Sequence, residues 1–122
     1  MEDIKKEVLD FMKERRWDSQ PPGDVAKSIV IEAAELLEHF QWSNFFNEEV
    51  EKDPLIKEEI KKELADILIY CVEMSILLDC DIKEIIRQKL ALAAKKYPVG
   101  SVDGQLGSKK YKEIKKRHRA GK

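Results

Sequence analysis

Glu63-Leu-Ala-Asp-Ile-Leu-Ile-Tyr-Cys-Val-Glu-Met-Ser-Ile-Leu-Leu78 is the stretch whose reading decides the fold. It is apolar on nearly every side, which predicts a buried central helix rather than a surface one. Yet it carries acids. At about 100° per residue, Glu63, Asp66 and Tyr70 fall within roughly 60° of one another. An unpaired buried charge costs several kcal/mol, so this stripe calls for a cation, from the chain or from solution.

Outward from that helix the chain reads as more helix. Asp53-Pro54 supplies a cap residue and a proline at the first helical position, predicting a start there and a run to about Leu78. Asp81 followed by Glu84 resembles a capping box for a helix over 82–97, with Ile82, Ile85, Ile86, Lys89, Leu90 and Ala93 in its stripe, and Pro98 ends it. Upstream, residues 3–16 are amphipathic, with Ile4, Val8, Leu9, Phe11 and Met12 on one side. Asp18-Ser-Gln-Pro-Pro-Gly23 breaks the chain, and Asp24 is the expected N-cap of a helix running to about Trp42. Its apolar stripe holds Val25, Ile29, Ala33, Leu36, Leu37 and Phe40. Ser43 to Glu51 reads as an irregular link or a short helix. Four helices and no convincing strand predict an all-α bundle.

A chain of 122 residues is long enough for one domain with its own core. The expected division is a helical domain over 1–98, then a flexible loop and basic tail over 99–122. Residues 109–122 hold eight Lys or Arg against Glu113 alone, a net of +7, which leaves −8 on residues 1–108. A tail of that charge is a solvated end, a nucleic-acid binder or a phosphate contact. The longest apolar run, Ile67 to Val72, is far too short to span a bilayer, and there is no charged-then-apolar leader. Cys71 and Cys80, about 13 Å apart along one helix, are expected to stay as thiols, which fits a reducing cytoplasm.

A second acid pair, Glu32 and Glu35, lies with His39 on the edge of the second helix's apolar stripe, within roughly 60° of arc. Acids make up a fifth of the chain, so either pair alone is commonly a solvated helix face. Two pairs bordering apolar faces are a different matter. Facing each other, four carboxylates cannot all stay ionised near neutral pH without multivalent cations. Hard oxygen ligands favour magnesium, with manganese able to substitute. A carboxylate-bridged di-iron site needs Glu-x-x-His on two helices, and neither His39 nor His118 has a Glu three residues before it. Magnesium usually arrives with phosphates. Trp17 and Trp42, each at a helix end, offer flat faces for a nucleobase, though capping the core explains either equally well. No Walker-type loop is present, so phosphate handling would fall to metal and to Lys89, Lys109 and Lys110.

Glu32-Ala-Ala-Glu35 with Phe40-Gln-Trp42, a 27-residue spacer, Glu63-Leu-Ala-Asp66 with Leu68-Ile-Tyr70, then Lys89 and Lys96-Tyr97-Pro98, resemble the MazG-like all-α nucleotide pyrophosphohydrolases, in their dCTP pyrophosphatase branch. The resemblance covers about residues 3–111. It implies magnesium-dependent hydrolysis of a nucleoside triphosphate, dCTP-like or modified, to monophosphate and pyrophosphate. Glu32, Glu35, Glu63 and Asp66 would be the catalytic acids and hold two or more magnesium ions. Trp17, Trp42 and Tyr70 match positions that enclose base and sugar, and Lys89, Lys109, Lys110 and Tyr111 match phosphate contacts. It also implies a homodimer or homotetramer with sites completed at subunit interfaces. Two positions depart from the pattern: Ala93 stands where relatives carry Asn, and Gln20 where they often carry His. The competing expectation is a non-catalytic helical module whose basic tail binds nucleic acid or a protein.

Overall fold

In a computed structural model of the chain, residues 1–42, 47–100 and 109–119 are described, with the backbone alone for Asn47 and residues 109–111. Those residues form six helices and no strand: α1 (Glu2–Glu14), α2 (Pro22–Glu38), α3 (Asn47–Glu51), α4 (Pro54–Leu77), α5 (Ile82–Lys96) and α6 (Lys109–Arg119). The expected all-α class holds, and α3 is the short helix allowed for between α2 and α4. The basic segment read as a tail is helical over 109–119. The chain divides into two compact units, Met1–Cys80 with α1 to α4, and Asp81–Lys122 with α5 and α6.

In the first unit α4 is the hub, and α1, α2 and α3 all pack on it. Its start follows the sequence rule: Asp53 Oδ1 accepts from the backbone N–H groups of Leu55 and Ile56, each at 3.2 Å, which satisfies two of the four donors a helix start leaves open. Asp81 does the same for α5 through Glu84 N–H at 3.1 Å. The Glu84 side chain accepts from Gln88 instead of reaching back, so only half of the capping box forms. The start of α2 differs from expectation. Pro21 is its N-cap and Pro22 its first residue, and Asp24 lies inside the first turn without capping it. Proline has no N–H to leave unpaired there, and an acid one turn in still meets the positive end of the helix dipole.

Two helices of this unit end alike. After α1, Arg16 turns left-handed (φ 59), Trp17 N–H returns to Met12 O at 2.8 Å and Arg16 N–H to Lys13 O at 3.1 Å. After α4, Asp79 turns left-handed (φ 50), Cys80 N–H returns to Ser75 O at 3.0 Å and Asp79 N–H to Ile76 O at 3.2 Å. Both are Schellman motifs, which tie up carbonyls a helix end would otherwise expose. At the end of α1 the accompanying apolar contact is Phe11 against Trp17, edge-on with centroids 5.8 Å apart. That contact sets where Trp17 stands. Lys5 Nζ closes the unit by donating to Cys80 O at 3.2 Å.

The core of this unit is small: Val8 and Met12 from α1, Val25 from α2, Val72 from α4. The expectation that α4 is buried all round is overturned for the chain taken singly. Leu64, Leu68 and Ile69 are 47%, 54% and 42% exposed, and on α2 Val30, Ile31 and Leu37 are exposed as well. The neighbours within the unit cover one side of α4 and leave the rest bare. In the second unit α6 packs on α5 and buries Ile114, while Ile85, Ile86 and Leu90 of α5 are exposed. Cys71 and Cys80 are free thiols. Among the described residues no helix is long and apolar enough to cross a membrane.

Left-handed backbone costs a residue with a Cβ roughly 1–2 kcal/mol, which glycine escapes at some cost in unfolded-chain entropy. Arg16→Gly is expected to stabilise the protein by about 0.5–1 kcal/mol, read from urea unfolding. A loss of stability would mean that the Arg16 side chain makes a contact worth more than the strain.

Candidate metal centre

Glu32 and Glu63 meet because α2 packs along α4, and each helix repeats the same spacing: acid, acid three on, ring four further. Carboxylate oxygens of Glu32, Glu63 and Asp66 all lie within 4.8 Å of one another. Glu35, one turn beyond Glu32, joins the cluster electrostatically. The ends of this cluster are not equally wet. Glu32 and Glu63 are half-buried, Glu35 and Asp66 exposed.

One oxygen of each half-buried acid, Glu32 Oε2 and Glu63 Oε2, is out of contact with solvent and has no hydrogen-bond partner among the described residues. Buried carboxylate oxygens are nearly always paired, so two orphans within one cluster require a cation or a proton. The surroundings of the two acids favour the proton. Burial, then a hydrogen bond shared with Glu35, then the charges of Glu35, Asp66 and Glu63 push the Glu32 carboxyl up to about 7. Burial, the hydrogen bond with Glu35 and the charges of Glu35 and Asp66 also raise Glu63, with His39 opposing. The His39 Nε2 lies 3.8 Å from Glu63 Oε1. An all-oxygen donor set with two orphaned atoms fits a hard divalent cation, and magnesium or manganese best.

The remaining residues singled out in the sequence fall into four groups. Tyr70 is half-buried on the same stripe of α4 as Glu63 and Asp66. Trp17 and Trp42 are both exposed, at 46% and 89%, Trp17 resting on Phe11. Lys89 is exposed on α5 of the second unit, where Ala93 is half-buried. Lys109, Lys110 and Tyr111 begin α6, and their side chains lie outside the described residues.

A second polar feature of α4 is Glu73, which the sequence places near the acidic face without a role; its burial and its partner were missed. Glu73 is 2% exposed, and Gln20 Nε2 donates to its Oε1 at 3.4 Å. Burial raises the Glu73 carboxyl above its ordinary value, and the Gln20 bond works the other way, toward the ionised form. The available signal was Glu73 continuing the 63, 66, 70 stripe. Its partner sits 53 residues away, and no local pattern reveals that pairing.

With the geometry in place, the profile of the MazG-like family matches residues 27–114. The chain belongs to the MazG-like family. It is 29% identical over 101 residues to dCTP pyrophosphatase 1 of Rattus norvegicus, across 81% of this chain and 59% of that protein. It is 31% identical over 103 residues to dCTP pyrophosphatase 1 of Bos taurus, across 81% of this chain and 60% of that protein. The chain thus spans about three fifths of these relatives' length. A crystal structure of a pyrophosphatase from Archaeoglobus fulgidus DSM 4304 superposes with a TM-score of 0.71 at 35% identity, covering 80% of this chain and 92% of the other. The MazG-like match begins before Glu32 and ends beyond Asp66, so it takes in the whole acidic cluster.

The raised Glu32 carboxyl gives the metal-free protein a pH-dependent stability. A carboxyl that binds its proton more tightly when folded favours the fold at low pH and loses that contribution as the pH rises through its folded value. In EDTA, Tm is expected to fall between pH about 4.5 and about 7, and magnesium should restore it above pH 7. Glu32→Gln should flatten the slope. A Tm that is independent of both pH and magnesium would show that the acids neither repel one another nor bind a cation.

Proposed function

We propose that this chain hydrolyses a nucleoside triphosphate to the monophosphate and pyrophosphate in the presence of magnesium, with a dCTP-like or modified deoxynucleotide as substrate. The observation that carries the reading is the pair of buried, unpartnered carboxylate oxygens on Glu32 and Glu63 beside Asp66. The names of the relatives support the reaction class. Glu32, Glu35, Glu63 and Asp66 would hold the metal, two or more ions per site, with manganese as a substitute. Bound there, magnesium supplies neutralisation of the triphosphate and a more acidic water. The four carboxylates fix the cation side of the site, and His39 flanks Glu63. Tyr70, Trp17 and Trp42 enclose base and sugar. Lys89, Lys109, Lys110 and Tyr111 contact phosphates. On this reading residues 1–98 make the catalytic domain and 99–122 a loop and basic tail. The two free thiols are in keeping with a reducing, cytoplasmic setting.

The bare faces of α2 and α4 are best accounted for by a second copy of this chain, as a homodimer or as part of a homotetramer. Apolar side chains this dense on one face of a small protein belong to an interface, and closed symmetry buries the same patch on both partners. Val30 and Ile31 line a shallow apolar cleft with Ala26 and Lys27. Light scattering on a sizing column should give two or four times 14.2 kDa, and Val30→Glu should shift it toward the single chain. A monomeric native protein would remove the interface reading.

For the activity, the protein is incubated with magnesium and normal and modified triphosphates, and pyrophosphate is separated from orthophosphate. The expected products are monophosphate and pyrophosphate. Asp66→Asn should lower kcat/KM by about a thousandfold, the loss of several kcal/mol of charge stabilisation, and should leave the metal-free Tm unchanged or higher because a repelling charge is gone. Release of orthophosphate alone would sink the pyrophosphohydrolase reading. A drop in metal-free Tm for Asp66→Asn would make the cluster a structural salt bridge.

A further inference from the structure

Glu73 plays no part in the hydrolysis above, yet it is a buried acid whose hydrogen-bond partner is an amide and not a cation. Burying a carboxyl this deeply is costly, and an aliphatic residue at its position would serve packing better. Its place is informative. Glu73 lies seven residues beyond Asp66 and three beyond Tyr70, on the same stripe of α4, which puts it about 10 Å along the helix axis from Asp66 at 1.5 Å per residue. That is the order of length separating the phosphates of a nucleotide from the far edge of its base. Gln20 comes to this spot from the loop between α1 and α2. The loop is held at its start by the Schellman turn and the Phe11–Trp17 contact, and Gln20 N–H returns to Trp17 O at 3.5 Å. A candidate base-stacking ring, Trp17, and the half-buried amide that meets Glu73, Gln20, are thus carried by one short, anchored segment.

Resting on the nucleotide reading, we propose that Gln20 is the residue that reads the base and that Glu73 is its positioning residue, selecting bases that carry an amino group. Gln20 Nε2 donates to Glu73 Oε1, which holds the NH2 end of the Gln20 amide and leaves Gln20 Oε1 to accept from the substrate. An exocyclic amino group, as on cytosine, satisfies that oxygen. A carbonyl at the same place, as on uracil, sets two acceptors against each other and leaves that hydrogen bond unmade. Glu73→Gln removes the constraint at nearly equal volume. A glutamine there can donate to Gln20 Oε1, letting the Gln20 amide turn its NH2 outward to meet a carbonyl.

The test measures dissociation constants, by calorimetry with magnesium, for the non-hydrolysable α,β-imido analogues of dCTP and dUTP. The native chain, Glu73→Gln and Gln20→Ala are compared. The native chain should bind the cytosine analogue about tenfold or more tighter, the scale of one hydrogen bond made against one left unmade. Both variants should bring the ratio to within about threefold. A purely structural role for Glu73 would weaken both analogues alike and leave the ratio intact, and that result overturns the proposal. So does a native ratio near one. Preferential binding of the cytosine analogue without pyrophosphate release from dCTP would support the base reading while removing the hydrolysis. Binding of neither analogue removes both.

Discussion

Repulsion among the carboxylates of α2 and α4 is the constraint on which the rest of this molecule turns. Packing the two helices together brings Glu32, Glu63 and Asp66 within reach of one ligand, with Glu35 close enough to raise the proton affinity of the first two. Among the described residues of the first unit that repulsion is offset only in part. His39 opposes it at Glu63, and two carboxylate oxygens are left with neither solvent nor partner. The helix pair is thus a candidate metal centre, since a divalent cation is a species that answers several acids at once. The repulsion is a local cost to stability, the kind a binding site carries.

The surrounding architecture holds that strained pair in place with local devices more than with a large core. Asp53 caps α4 at one end and a Schellman turn at Asp79 closes it at the other, so the helix that carries Glu63, Asp66, Tyr70 and Glu73 is defined at both ends. The same turn at Arg16 directs the chain from α1 across toward α4, seats Trp17 on Phe11 and delivers Gln20 to Glu73. Few side chains of the first unit are fully buried, and apolar residues on α2 and α4 face outward. A helix pair so sparsely covered is suited to association, and that ties the bare faces to the acid pairs lying along the same two helices.

Much of this was legible from residue spacing. The i, i+3 acids of α2 and α4 stand together as their spacing and apolar borders required, and Asp53-Pro54 and Asp81 start helices where such residues do. The family likeness rested on those acids with Phe40-Gln-Trp42 and Leu68-Ile-Tyr70, and the match over residues 27–114 agrees. What was misread has physical causes. Pro21 and Pro22 took the start of α2 from Asp24, because proline at the first helical position leaves no donor to cap. The apolar run of α4 read as a buried helix and also as an interface, because a pattern records only that a face avoids water, not which molecule covers it.

Residue order alone settled α1, α2, α4 and α5, the caps at Asp53 and Asp81, the acidic stripes and the oxygen-rich chemistry of the cluster, since each is set by residues within a turn or two of one another. Tertiary structure alone decided that Glu32 and Glu63 lose both water and partners at one oxygen each, and that Glu73 is bonded to Gln20. Those facts depend on how far apart two packed helices and a returning loop come to rest. Burial and long-range hydrogen bonds are properties of the packed arrangement, and no periodicity along the chain encodes them.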